Sequence, residues 1–142
     1  MKILLINGAN LNMLGIREID KYGNKTLADI EKKIIRRGKE LGVEVNVWQS
    51  NIEGEIVDKI QQARNLYDGI LLNAGGYTHT SVVIRDAISA IKIPTIEIHM
   101  TNIYAREEFR HISLLSGVCK ATIAGFGEYS YILGLEGLVK IL

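Results

Sequence analysis

Short runs of branched apolar residues alternate along the chain with longer segments in which apolar residues recur every three or four positions. The short runs predict strands over residues 2–7, 44–49, 69–73, 95–99 and 121–124. The longer segments predict helices over residues 26–41, 53–66, 81–91 and 129–142. Strands this apolar, separated by helices, indicate a parallel sheet that is covered on both faces.

The alternation predicts an α/β fold, a flavodoxin-like doubly wound sheet of five parallel strands with helices on both faces. The expected strand order is 2-1-3-4-5, with right-handed crossovers. A chain of 142 residues can bury one core. No repeat, low-complexity stretch or linker marks a second unit, so we expect a single domain over residues 1–142.

Polar residues gather where three of the predicted strands end. Asn7 and Asn10 lie at the end of the first strand, Asn73 ends the third, and Glu97 and His99 belong to the fourth. In a doubly wound sheet, ligands bind beyond the carboxyl ends of the strands, where the strand order reverses. We therefore expect these clusters to converge on one cleft.

Ordinary turn chemistry is an alternative explanation for several of these positions. Gly8, Gly75 and Gly76 could be turn residues that were selected only for their backbone freedom. Asn7 and Asn73 could merely cap the ends of their strands.

The fourth strand gives a sharper pattern, because Glu97 and His99 alternate with Ile96 and Ile98. Residues two apart on a strand share a face, so the carboxylate can orient the imidazole. A solvated edge strand would show the same alternation. His79, at the start of the third long helix, is placed to face the same cleft, although a lone histidine is more often structural.

Residues 12–26 have little apolar content and contain Gly15, Arg17, Tyr22 and Gly23. This composition predicts a mobile lid, since glycines near both ends could absorb the backbone change on closure. A plain exposed loop is the alternative.

Composition excludes several partners. Seventeen basic residues against sixteen acidic residues leave a formal charge of +1, so no overall field favours nucleic acid or an anionic membrane. The sequence shows no membrane-spanning stretch and no signal-peptide pattern. Cys119 is the only cysteine, which suits a reducing compartment. We expect a cytoplasmic protein.

Four segments together carry a family resemblance: NGANLNMLGIRE, the Tyr22-Gly23 pair, LNAGGYTHTSVVIRDA and IEIHMTNIYAREEFR. In this order and spacing they resemble the type II 3-dehydroquinate dehydratases over essentially the whole chain. The resemblance implies a flavodoxin-like enzyme of the shikimate pathway or of quinate breakdown. Such an enzyme is a lyase that needs no cofactor and eliminates water from 3-dehydroquinate to give 3-dehydroshikimate.

The resemblance also implies roles for particular residues. Tyr22 matches the base that removes a proton from the substrate, and Arg17 matches the lid arginine that favours its phenolate. His99 matches the general acid and Glu97 the carboxylate that positions it. Asn10 matches the asparagine that holds a water at the enolate.

Further positions match substrate-binding residues of the family: Asn73, His79, Asp86, Met100, Thr101 and Arg110. Met100 and Thr101 would act through their backbone, and Asp86 across a subunit contact. The family forms dodecamers built from trimers, so we expect a homo-oligomer.

Three positions depart from the family pattern. Ala9 and Ile19 stand where proline is usual, and Thr101 stands where serine is common. None of the three removes a catalytic side chain. The loss of two prolines predicts a more mobile lid.

The reaction itself requires a base, enolate stabilisation and an acid for the leaving oxygen. Ionising a free tyrosine at neutral pH costs about 4 kcal/mol, because its reference pKa is about 10. A guanidinium at about 4 Å from the phenolate would stabilise it by about 4 kcal/mol at an effective dielectric of about 20, which offsets most of this cost. This is a physical reason for Arg17 to accompany Tyr22. Histidine is the acid best suited to neutral pH, and Glu97 would hold His99 protonated. No lysine lies in the strand-end clusters to form a Schiff base, and His79, His99 and His111 do not have metal-site spacing.

Other functions of the same fold fit less well. The loop over residues 7–15 could cradle a phosphate, but it lacks the GxGxxG and P-loop patterns. A phospho-receiver needs acidic residues where this chain has Asn7 and Asn73. A serine hydrolase needs a nucleophile elbow, and neither Ser81 nor Ser113 lies in one.

Overall fold

The structure, a computed structural model, describes residues 1–16 and 18–142. Its sheet is entirely parallel, with strand order β2-β1-β3-β4-β5. The strands are β1 (Lys2–Asn7), β2 (Glu44–Gln49), β3 (Gly69–Asn73), β4 (Thr95–His99) and β5 (Ala121–Ala124). The predicted fold class, strand order and strand ranges are confirmed.

The helices lie on both faces of the sheet. They are α1 (Ile19–Tyr22), α2 (Leu27–Glu40), α3 (Glu53–Ala63), α4 (Val82–Ile91) and α5 (Tyr129–Ile141). Helices α2 and α5 pack together on one face, and α3 and α4 pack together on the other. The four predicted helices are present, and the short helix α1 is an addition within the predicted lid.

The helix ends follow from the residues there. Thr26 caps α2 through a capping box, in which its hydroxyl and the Asp29 carboxylate each accept a backbone N–H. Ser81 accepts the N–H of Ile84 and caps α4. The prediction placed the end of α3 three residues too late. The chain leaves the helix at Arg64 (ψ 124°), and the turn continues through Asn65 in a left-handed conformation (φ 76°), which asparagine tolerates.

Alternation along the strands divides the core between the two faces. Toward α2 and α5 point Ile3, Leu5, Leu71, Ile96 and Ile98. Toward α3 and α4 point Leu4, Ile6, Ile70 and Leu72. The side chains in both groups are at most 2% exposed, and each contributes about 1.5–3 kcal/mol by burial.

The same alternation turns the polar ends of β1 and β3 toward α5. Asn7 pairs in register with Asn73, and both side chains reach Tyr131 in the core. Asn73 Nδ2 donates to the Tyr131 hydroxyl (2.8 Å), which in turn donates to Asn7 Oδ1 (2.8 Å). Asn73 also caps its strand, because its Oδ1 accepts the N–H of Gly75 (3.2 Å). This side chain thus combines a capping role with a place in a buried network.

Tyr131 is completely buried and serves this network as a neutral phenol. Burial raises its pKa far above the ordinary range; the hydrogen bond from Asn73 opposes this effect and the charge of Glu31 adds to it. The hydroxyl therefore stays protonated and donates a hydrogen bond to Asn7 Oδ1.

Two strand-end turns approach each other so closely that side chains cannot fit. A Cβ on Gly8 would lie 2.4 Å from the carbonyl oxygen of Ala74, and a Cβ on Gly75 would lie 2.6 Å from that of Ala9. Gly75 also has a positive φ (62°), whereas a Cβ on Gly76 would meet nothing within 4 Å. Gly8 and Gly75 are therefore required by packing between the first and third strand ends.

Short 3-10 helices fill the remaining connections. One follows β1 at Leu11–Met13, one follows β3 at Gly75–His79, and three lie between β4 and β5 at Ile103–Ala105, Glu108–Arg110 and Ser116–Val118. The sequence pattern did not predict them, because such short turns carry no apolar periodicity. In the part of the chain that the structure describes, no helix has the length and apolar character needed to cross a bilayer.

We expect Gly8→Ala to destabilise the fold, because its Cβ would collide with the backbone of Ala74. The loss should be about 1–3 kcal/mol, as for other overpacked sites, and urea denaturation measures it. Gly54→Ala is the control, since a Cβ there meets nothing and a helical alanine is favoured. Equal stabilities for the two variants would contradict the close approach.

Tyr131→Phe should lower the free energy of unfolding by about 1–3 kcal/mol, because the buried Asn73 Nδ2 and Asn7 Oδ1 atoms each lose their hydrogen bond to the hydroxyl. Tyr129→Phe, two residues earlier and 53% exposed, is the matched control. The free energy of unfolding of Tyr129→Phe should differ from that of the wild type by no more than about 0.5 kcal/mol. Similar urea midpoints for both variants would show that the buried network does not stabilise the fold.

Candidate active site

A cleft that is open to solvent lies at the carboxyl ends of β1, β3 and β4. This is the position that a doubly wound sheet gives to its ligand. The structure brings eight of the predicted residues to its wall: Asn10, Tyr22, Asn73, His79, His99, Met100, Thr101 and Arg110.

Three predicted residues are not among those that line the cleft. Glu97 lies behind His99 and is completely buried. Asp86 lies on an exposed part of α4, so a single chain does not bring it to the cleft. Arg17 falls outside the described residues.

The phenol of Tyr22 lies against a guanidinium that sequence reasoning missed. Arg106 Nη1 donates to the Tyr22 hydroxyl at 2.7 Å, and its Cζ lies 5.5 Å from the centre of the ring. The same nitrogen also contacts the Thr101 hydroxyl at 3.4 Å. A positive charge at this distance stabilises negative charge on the phenol oxygen.

Arg106 has a second contact on the side away from Tyr22. Its Nε lies 3.9 Å from Glu107 Oε2, which also accepts from Arg110 Nε at 2.7 Å. A hydrogen bond from its own backbone N–H and the Arg110 guanidinium hold the pKa of Glu107 below its usual range. One carboxylate thus contacts both arginines at the mouth of the cleft.

His99 owes its orientation to Glu97. Its Nε2 lies 2.7 Å from Glu97 Oε1, which leaves Nδ1 as the ring nitrogen available to a molecule in the cleft. Strand β4 is buried throughout and lies between β3 and β5. The alternative of a solvated edge strand is therefore wrong.

Glu97 is a buried carboxylate that remains ionised. Burial raises its pKa, but hydrogen bonds from His99, Ser113 and Ser116, together with the charge of His99, outweigh burial and place the pKa below its usual range. The side chain that faces His99 therefore carries a negative charge.

His79 has both a structural contact and a place in the cleft. Its Nδ1 lies 2.8 Å from the carbonyl of Ile112, and because a carbonyl only accepts, this nitrogen carries a proton. Its ring stacks on that of His99, with centroids 6.4 Å apart. His79 can therefore be a structural residue, through its contact with Ile112, and also bind a molecule in the cleft.

The segment predicted as a lid is partly helical where the structure describes it. Helix α1 carries Tyr22 to the cleft, and Gly15 and Gly23 on either side have positive φ values of 87° and 76°. Lys21 pairs with Glu18 at 3.2 Å on the partly exposed side of this helix. The mobility of the segment stays a prediction.

The donor set of the cleft suits acid–base chemistry on an anionic substrate. Among the residues that the structure describes, it combines one phenol, two imidazoles, two guanidiniums and two asparagine amides. Across residues 1–16 and 18–142, no three His, Cys, Asp or Glu side chains are grouped so that they could hold a metal ion.

Comparison with known proteins identifies the family. The family model described as dehydroquinase class II matches residues 1–139. A 3-dehydroquinate dehydratase of Campylobacter jejuni (strain 81-176) is 52% identical over 141 residues, which cover 99% of this chain and 89% of that protein. A 3-dehydroquinate dehydratase of Prochlorococcus marinus (strain MED4) is 54% identical over 142 residues, which cover 100% of this chain and 97% of that protein.

The fold comparison agrees. The crystal structure of the type II dehydroquinase from Butyrivibrio crossotus superposes with a TM-score of 0.95 at 48% identity and covers 97% of each chain. The family resemblance and the enzyme class predicted from the four sequence segments are confirmed. The chain belongs to the class II dehydroquinase family.

Proposed function

We propose that this chain is a 3-dehydroquinate dehydratase, which eliminates water from 3-dehydroquinate through an enolate to give 3-dehydroshikimate. The observation that carries the proposal is the meeting, in one cleft, of a phenol held by a guanidinium and an imidazole held by a buried carboxylate. Membership of the class II dehydroquinase family supports the choice of substrate.

Tyr22 acts as the base that removes the proton next to the ketone. Its oxygen must carry negative charge to do so, and the Arg106 guanidinium at 2.7 Å supplies the compensating charge. Such a contact is worth about 4 kcal/mol at an effective dielectric of about 20 and a distance of about 4 Å. Arg17 keeps its proposed role as a second cation at this phenolate.

His99 acts as the general acid for the leaving hydroxyl. Hydroxide is a poor leaving group, so its oxygen must gain a proton as the bond breaks. Glu97 accepts from one ring nitrogen and favours the protonated imidazole, which then donates from Nδ1 into the cleft. The elimination is balanced, because Tyr22 takes one proton and His99 supplies one.

The remaining wall of the cleft binds the substrate. We assign the enolate-stabilising water to Asn10. Substrate hydroxyls and the carboxylate contact Asn73, His79 and Arg110, with the backbone N–H groups of Met100 and Thr101 as anion donors.

A Schiff-base route has no residue to carry it in the described cleft, since its lining there includes no lysine. The proposed elimination requires no cofactor. The domain over residues 1–142 acts as one catalytic unit, and residues 12–26 close over the bound substrate.

We also propose the cellular setting that the sequence resemblance implied. The chain works in the cytoplasm, in the shikimate pathway that leads to aromatic amino acids. It assembles as a homododecamer built from trimers, in which Asp86 reaches the cleft of a neighbouring copy from the exposed part of α4.

The purified chain should convert 3-dehydroquinate, without an added cofactor, to an enone that is followed by its ultraviolet absorbance. Tyr22→Phe should lose on the order of 10²–10⁴-fold in kcat, the usual contribution of a general base. Tyr129→Phe is the matched control and should keep the wild-type rate, because this exposed phenol does not line the cleft. No turnover by the wild-type chain at neutral or mildly alkaline pH would contradict the proposed function.

Arg106→Gln should lower kcat by on the order of 10²–10³-fold, because it removes the charge beside the phenolate. Arg110→Gln should instead raise KM, since this guanidinium lies on the wall of the cleft and contacts Glu107. Arg64→Gln, on an exposed site, controls for the general effect of losing a positive charge. A kcat for Arg106→Gln close to that of Arg64→Gln would remove Arg106 from the mechanism.

A further inference from the structure

The carboxylate behind His99 is contacted by the hydroxyl groups of three residues, two in the connection between β4 and β5 and one in β5. Its Oε1 accepts from His99 Nε2 (2.7 Å) and Ser113 Oγ (2.6 Å), and its Oε2 accepts from Ser116 Oγ (2.5 Å) and Thr122 Oγ1 (3.2 Å). An ionised carboxylate offers about four acceptor sites. The four donors therefore fill the hydrogen-bonding capacity of Glu97.

The direction of these bonds is fixed by chemistry. Ser113 Oγ already accepts the N–H groups of Leu115 (3.1 Å) and Ser116 (3.0 Å), so its only proton must point at Glu97. An additional proton on Glu97 would turn an acceptor into a donor and oppose one of the hydroxyls. The enclosure thus favours the ionised carboxylate over the carboxylic acid.

We propose that Ser116, together with Ser113 and Thr122, is a positioning residue that keeps Glu97 ionised and so keeps the transferable proton of the Glu97–His99 pair on His99. The proposal rests on the proposed function, in which His99 is the acid. Without the hydroxyls, Glu97 competes for that proton and the pair releases it less readily.

Other groups face this pair and belong to its electrostatics. Cys119 lies near Glu97, and burial together with the Glu97 charge raises the pKa of this thiol to about 12, so it stays neutral. His79 stacks on His99. Tyr22, Arg106 and Arg110 line the same cleft. A substitution of Ser116 or Thr122 leaves the side chains of all these neighbours in the protein, so that only the hydroxyl behind Glu97 differs.

The segment that carries Ser116 has anchors of its own. The N–H of Leu114 donates to the Thr78 carbonyl (2.9 Å), and the Leu114 carbonyl accepts from Arg85 Nη1 (2.7 Å). Leu115 is completely buried. A Ser116→Ala variant should therefore keep the segment in place and lose only the hydroxyl.

Ser116→Ala should move the alkaline limb of the kcat profile to higher pH, because Glu97 then accepts one hydrogen bond fewer and its negative charge attracts the His99 proton more strongly. We expect kcat at neutral pH to fall on the order of three- to tenfold, since the acid holds its proton more tightly. KM should be unchanged, because Ser116 does not line the cleft. Ser116→Thr, which restores the hydroxyl, should return the limb toward the wild-type position.

Thr122→Val provides a second variant of nearly equal volume, and its longer contact predicts a smaller shift in the same direction. Ser89→Ala, on the exposed part of α4, is the control and should leave the profile unchanged. The proposal would be overturned if the alkaline limb of the kcat profile lay at the wild-type pH in both Ser116→Ala and Thr122→Val. An equal shift in Ser89→Ala would also overturn it.

A readout independent of turnover separates this proposal from the proposed function. The ring nitrogens of the three histidines, His79, His99 and His111, can be followed by NMR in protein labelled with ¹⁵N-histidine and assigned by single substitutions. In Ser116→Ala the titration of the His99 ring should move to higher pH while that of His111 stays. An unmoved His99 titration would overturn the positioning role even if the enzyme turns over; a moved one would support it even if 3-dehydroquinate is not the substrate.

Discussion

Burial of the Glu97 charge constrains the organisation of the candidate active site more than any other interaction. A carboxylate without exposure is very unfavourable unless each of its oxygens is hydrogen-bonded. The donors come from β4, from β5 and from the connection between them. Those segments must therefore assemble together, and the side chain of His99 is oriented as a result.

A second polar network lies on the opposite face of the sheet. Tyr131 joins the ends of β1 and β3 through Asn7 and Asn73, as the Glu97 network joins β4 and β5. The central groups of both networks are buried, whereas Ser113 and Ser116 are half-buried and Thr122 is exposed. A change at any one donor would remove a hydrogen bond from a buried polar group at the floor of the cleft, which is unfavourable.

The proposed base has a different origin from the proposed acid. His99 ends a strand, whereas Tyr22 belongs to the four-residue helix α1 in the segment predicted as a lid. Arg106 connects this segment to the connection that follows β4, through its contacts with Tyr22 and Thr101. An acid at a strand end and a base in the segment predicted as a lid are compatible with a reaction in which closure brings the base to the substrate.

The strands, the long helices and the convergence of polar strand ends were predictable, because each follows from local periodicity and from the geometry of parallel sheets. The family resemblance of four sequence segments also marked Tyr22, His99, Glu97 and Asn10 as candidates. The contact between Tyr22 and Arg106 was not predictable in the same way. Charge arithmetic requires a guanidinium but does not choose among arginines, and Arg106 lies 84 residues away in sequence.

The hydroxyls around Glu97 were equally hidden, since serine and threonine are common in loops and have no periodic pattern. The sequence by itself determined the framework and the residues with distinctive chemistry at strand ends. Only the tertiary structure decided which distant side chains stabilise their charges, because such contacts depend on how irregular connections pack and not on spacing along the chain.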